Sequence, residues 1–135
     1  MPPTKKDQEF YDKEPQVIGP RYYVRVTPDQ VRGLVRTFSI HYGLEVPEVT
    51  FKGRIRHICY WAKPHLSFVE QNVTLGVVIH EFAHYVERGN PKTRGHTPQL
   101  MARILEIWRL YDPAFSPAQD AGWLAQKSLV SLTSF

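Results

Sequence analysis

Residues 79–101 read IHEFAHYVERGNPKTRGHTPQLM and hold three of the chain's six histidines, two of them flanking a glutamate in HEFAH. Four residues along a helix make about one turn, so His80 and His84 project from one face and two imidazoles can reach a single ion. Glu81, displaced by about 100° around the axis, borders that face and can touch a metal-bound water without being a ligand. The spacing means this only on a helix, and the flanking residues predict one: Asn72 or Thr74 can cap it, and Gly89-Asn90-Pro91 stop it after Arg88.

Projected at about 100° per residue, Leu75, Val78, Ile79, Phe82, Tyr85 and Val86 gather on one side of this helix, with His80 and His84 opposite. A solvent-facing stripe is normally built from Lys, Glu and Gln. Here it carries two histidines beside Val77 and Ala83, which predicts a half-buried, metal-lined cleft.

Two histidines do not complete a site, because catalytic zinc usually has three protein ligands and an open position for water. Cys59 is the only cysteine, so an internal disulfide and a CxxC ribbon are excluded and the ligands must be His, Asp or Glu. His96 lies 12 residues beyond His84 and Glu106 lies 22 beyond it. Thr97 and Pro98 start a helix running to about Tyr111, with Leu100, Met101, Ile104, Leu105, Ile107, Trp108 and Tyr111 forming its apolar side. Glu106 falls on the opposite side, beside Ala102, Arg103 and Arg109, and is expected to face water; His96 is the expected third ligand. His41, His57 and His65 lie at a helix end and on or near strands, lack metal spacing, and read as structural or exposed.

Outward from this centre, VTPDQVRGLVRTFSIHYGL opens with Thr27 as cap, Pro28 in the first helical position and Gln30 closing a capping box. Val31, Leu34, Val35, Phe38 and Tyr42 follow at helical spacing, and Gly43 suits the C-cap. Between residues 47 and 70, EVTF, RIRHICYWA and HLSFVE predict three short strands, two of them paired as a hairpin. A last helix is expected over 116–131. Residues 1–20 are polar, with prolines at 2, 3, 15 and 20, and read as a flexible N-terminal arm without assigned chemistry. The fold class is therefore α+β, with one domain over 21–135.

A hydrophobic content of 42% with 22% charged residues excludes wholesale disorder, and no apolar run approaches the roughly 18 residues a membrane span needs. The N-terminus lacks the apolar core of a secretory signal, which predicts a cytoplasmic setting. The net charge of +4 concentrates in residues 21–56, where Arg21, Arg25, Arg32, Arg36, Lys52, Arg54 and Arg56 make weak DNA association a secondary expectation.

The order of helix, short sheet, HExxH helix, loop and a histidine in GH opening the next helix resembles the SprT-like zinc metallopeptidases, a group related to the small gluzincin-type peptidases. The matching residues are His80, Glu81 and His84 in HEFAH and Gly95-His96 in RGHTPQL, within a resemblance that runs from about Thr27 to Tyr111. It implies a zincin-like, minigluzincin fold with one Zn2+ per chain on His80, His84 and His96, Glu81 as the catalytic base, and protein or peptide as substrate. The loop between His84 and His96 is shorter than in the better-known members, and the cysteine-rich ribbon that several of them use on DNA is absent from the sequence. The donor for the reaction's oxyanion stays open among Tyr60, His65 and Tyr85, and HLSFVE or RHICYWA could pair with an extended substrate. The alternatives are an inactive metal-binding module and a nucleic-acid-associated protein working through its Arg-rich segment.

Overall fold

Threonine begins every long helix among the described residues. The computed structural model describes residues 4–52, 64–69, 73–88, 90 and 95–118. Within them lie α1 (Lys5–Ile18), α2 (Pro28–His41), β1 (Glu48–Lys52), β2 (His65–Val69), α3 (Leu75–Glu87) and α4 (Pro98–Tyr111), with a 3-10 turn at Pro20–Tyr23 between α1 and α2. The hydroxyls of Thr4, Thr27, Thr74 and Thr97 accept the N–H three residues on, at 3.0, 3.2, 3.3 and 3.2 Å. Each cap satisfies a donor that the first helical turn would leave unpaired, a contribution of about 1 kcal/mol. At α2 the box closes, because the Gln30 side chain takes the Thr27 N–H at 2.8 Å.

The first helix is a correction to the expected flexible arm. Phe10, Glu14, Val17 and Ile18 recur at helical spacing and are buried, so this face is held by the rest of the molecule. The prolines do not prevent it. Pro15 falls in the last turn, Gly19 ends the helix at φ 92°, and Pro20 opens the 3-10 turn that follows.

The 3-10 turn joins α1 to α3. The ring of Tyr22 lies so close to Gly76 that an ideal Cβ there would sit 2.1 Å from Tyr22 Cδ2, which accounts for a glycine in the first turn of α3. Beyond the turn, Val26 N–H donates to Val73 O at 3.3 Å and Leu75 N–H to Val24 O at 2.7 Å. This short antiparallel bridge between Arg25 and Thr74 sets the starts of α2 and α3 side by side.

At the centre is α3, with Leu75, Val78, Ile79, Phe82 and Tyr85 buried as projected and Val86 half-buried. Leu100, Met101, Ile104, Leu105 and Trp108 of α4 and Val31, Val35 and Phe38 of α2 complete that core; Phe38 meets Phe82 at 5.5 Å. Each such side chain removed from water is worth roughly 1.5–3 kcal/mol. Phe115 stacks on Trp108, and Ala118 N–H donates to Val17 O at 2.7 Å, returning the chain to α1.

β1 and β2 pair in parallel, with Glu48 opposite His65 and Lys52 opposite Val69. They are the outer two of the three expected strands. The middle one, 54–62, lies outside the described residues with its hairpin, as does nearly all of the helix expected over 116–131. The class is α+β, and no helix among the described residues is long and apolar enough to cross a membrane.

Candidate metal centre

His80 and His84 stand one turn apart on α3, and His96 precedes the Thr97 cap of α4 just after Gly95, whose φ of 76° turns the loop. The three rings meet. His80 Nε2 lies 3.2 Å from His84 Nε2 and 3.2 Å from His96 Nε2. The ring centroids form a nearly equal-sided triangle of 4.9, 5.1 and 5.2 Å. One donor atom from each residue falls within 4.8 Å of the others, so the trio could hold a metal ion.

Donor chemistry agrees with the spacing. Two ligands bound tetrahedrally at roughly 2.0–2.1 Å stand about 3.3–3.4 Å apart, close to the separations between these nitrogens. Three Nε2 atoms facing one another suit hydrogen bonding poorly, because each neutral ring bearing its proton on Nδ1 presents only an acceptor there. A cation shared among them, whether a proton on His80 or a metal ion, satisfies the facing nitrogens.

The face that sequence projection leaves as a cleft is covered by α1. His80 is 6% exposed and His96 9% exposed, while His84 is half-buried. Phe10 packs at 4.9 Å and Tyr11 at 4.7 Å from His96, and both also approach His80. Two carboxylates of α1 accept from the outer ring nitrogens: Glu14 Oε1 lies 2.7 Å from His80 Nδ1 and Asp7 Oδ1 lies 3.0 Å from His96 Nδ1. Sequence reading missed both acids. The available signal was Thr4 as a cap followed by Asp7, Phe10, Glu14 and Val17 on one helical face.

The electrostatics follow from these contacts. Burial alone would lower the His80 pKa, but the charge and hydrogen bond of Glu14, assisted by Glu81, push it up to about 9. Acid therefore competes with any ion for this nitrogen. Burial and the neighbouring His80 lower the His96 pKa against the pull of Asp7. Hydrogen bonding to His96 holds the Asp7 carboxyl below its ordinary value. Glu81 is half-buried beside His80, and its charge reaches the Tyr22 phenol, whose pKa is raised chiefly by burial and then by Glu14, Tyr23 and Glu81.

Glu106 is not part of the cluster. Its carboxylate is bound by Tyr42 Oη and Arg103 Nη1, each at 2.5 Å, on the exposed side of α4. His65 sits on the sheet between Thr50 and Ser67, and exposed His41 packs against Tyr42. Tyr85 is committed elsewhere, donating its hydroxyl to Glu45 O at 2.5 Å. His57 and Tyr60 lie outside the described residues. In the basic segment, Arg21 pairs with Asp112 and Arg32 lies over the Phe51 ring.

Comparison with protein-family models, curated proteins and solved structures gives no match for this chain.

Proposed function

We propose that the chain is a small zinc-dependent metallopeptidase of zincin-like, minigluzincin fold, akin to the SprT-like family, that hydrolyses peptide bonds in protein substrates. The observation that carries the reading is the tripod of His80, His84 and His96 Nε2 atoms with Glu81 beside its first member. His80, His84 and His96 would hold the ion. Bound there, zinc would supply Lewis acidity for both the attacking water and the scissile carbonyl.

The chain's own contribution is proton handling and orientation. Glu81 takes the proton of the attacking water and returns it to the leaving amine. Its half-buried position beside His80 keeps a base close to the ion without spending it as a ligand. Glu14 and Asp7 hold two of the three imidazoles at their outer nitrogens, and Phe10 and Tyr11 keep water from that side.

A second reading, a metal-binding module without turnover, draws support from the burial of His80 and His96 beneath α1. The two are separated by preparing the wild type and Glu81→Gln, measuring bound metal by elemental analysis, and assaying cleavage of an unfolded protein. One zinc in each with proteolysis only by the wild type supports the peptidase. Stoichiometric metal without cleavage of any substrate refutes it in favour of the inert module. DNA association through residues 21–56 would show as binding that weakens steeply with salt, and flat salt dependence removes it.

A further inference from the structure

Resting on the metal reading, we infer that α1 is a working part of the metal centre, in which Glu14 and Asp7 are positioning residues that fix the tautomer and aim of His80 and His96. A histidine that binds an ion through Nε2 carries its remaining proton on Nδ1. An anionic acceptor at Nδ1 selects that tautomer, fixes the ring plane and raises the basicity of the ligating nitrogen. Both conditions are met twice from one helix. Glu14 Oε1 stands 2.7 Å from His80 Nδ1, Asp7 Oδ1 stands 3.0 Å from His96 Nδ1, and both rings direct Nε2 inward to the same point.

The spacing along α1 suits this role. Asp7 and Glu14 are seven residues apart, two turns on one face, and Phe10 lies between them against both rings. Glu14 is 1% exposed, and among the described residues its Oε2 has no hydrogen-bond partner. A helix face built only for packing would bury an apolar residue there, since an incompletely satisfied carboxylate opposes folding. Bonding to His80 gives this acid a purpose that packing does not.

The test uses Glu14→Gln, which keeps volume and an acceptor oxygen, Glu14→Ala, which removes both, and Asp7→Asn. Zinc affinity is read by competition with a chelator, and the Nδ1 protons of His80 and His96 are followed by nitrogen-proton NMR in the zinc-loaded proteins. Zinc affinity is expected to fall about 10- to 100-fold in Glu14→Gln and Asp7→Asn, and further in Glu14→Ala. The Nδ1 proton of His80 should move upfield in the Glu14 variants and not in Asp7→Asn, and that of His96 in Asp7→Asn and not in the Glu14 variants. Packing damage would not produce that site-by-site pattern. Should the buried Glu14 variants fail to fold, Asp7→Asn decides, because the Asp7 side chain is 32% exposed and tolerates change.

Affinities within about threefold of wild type in the folded variants, or Nδ1 protons that do not move, would overturn the inference while leaving the metal reading intact. A wild type that takes up no zinc refutes the metal reading itself, and this inference with it.

Discussion

Replacing Gly76 by alanine tests whether the 3-10 turn is wedged against α3 as described. An ideal Cβ at this position would stand 2.1 Å from Tyr22 Cδ2 and 2.4 Å from both Cε2 and Cγ. Carbon atoms in ordinary contact sit about 3.5–4.0 Å apart, so the ring would have to retreat by about 1.5 Å. Its retreat is opposed by the turn that carries it, which bonds Tyr22 N–H to Gly19 O at 3.0 Å, and by Tyr23 at 5.2 Å. Overpacking of this kind costs roughly 1–3 kcal/mol, and so deep an overlap belongs in the upper part of that range. Alanine's helix preference over glycine offsets at most about 0.5–1 kcal/mol, leaving a net destabilisation of about 1–2 kcal/mol. Gly33 is the control: it is exposed within α2 and a Cβ there meets nothing within 4 Å, so Gly33→Ala should stabilise by about 0.5–1 kcal/mol. Urea unfolding of the chelator-treated proteins, followed by circular dichroism, reads both. With a slope of about 1–3 kcal/mol per molar, the Gly76→Ala midpoint should drop by on the order of 1 M and that of Gly33→Ala should rise by a few tenths. Adding Tyr22→Leu should recover much of the Gly76→Ala loss as a coupling of about 1 kcal/mol or more. Equal stabilisation by both alanines, without coupling to Tyr22, would refute the wedge.

His96→Ala should lose zinc from the purified protein while Glu106→Ala retains it, since Glu106 is held by Tyr42 and Arg103 away from the cluster; elemental analysis decides, and the opposite pattern would reassign the third ligand. Glu81→Gln should keep its metal and lose about 10²- to 10⁴-fold in proteolytic rate, the usual contribution of a positioned base, and a rate within threefold of wild type would remove Glu81 from the chemistry. The Glu106 pKa is below its ordinary 4.5 because the Tyr42 hydroxyl and Arg103 outweigh burial, which acts in the opposite direction. A carboxyl depressed in the folded state stabilises above its unfolded pKa, and that contribution disappears as pH falls through the lower folded value. Below pH 4.5 the wild type should therefore lose its advantage over Glu106→Gln, by only about 0.2–1 kcal/mol because the pair is half exposed; an advantage that grows on acidification would contradict this sign.

Local chemistry made much of this molecule legible in its sequence. Thr27, Thr74 and Thr97 act on their own next turn, and Pro28 and Pro98 are preorganised for a first helical position, so α2, α3 and α4 begin where these residues stand. The convergence of His80 and His84 is one helical turn of geometry, and Glu106 could be set aside by rotation about a helix axis alone. α1 was different because its inward face mixes Phe10, Val17 and Ile18 with the buried Glu14 and the partly exposed Asp7, a pattern that looks polar. Glu14 is buried and Asp7 partly covered because their histidine partners stand 66 and 89 residues downstream, and no local pattern announces a partner so distant. The parallel register of β1 and β2 was hidden for a related reason: five-residue strands carry too little alternation to reveal which neighbour they join.

The same two long-range bonds impose an order in time. The HEFAH imidazoles come together with their helix, on the microsecond scale of helix formation, whereas the α1 acids must close loops of 66 and 89 residues. Loop-closure entropy therefore predicts that the Glu14 and Asp7 contacts form after the pairing within HEFAH, and added zinc should leave the initial refolding rate unchanged. During synthesis α1 emerges before α3 and α4 and remains without its histidine partners until His80 and His96 leave the ribosome. A helix made before its partners thus has two of its carboxylates satisfied only by side chains 66 and 89 residues further on.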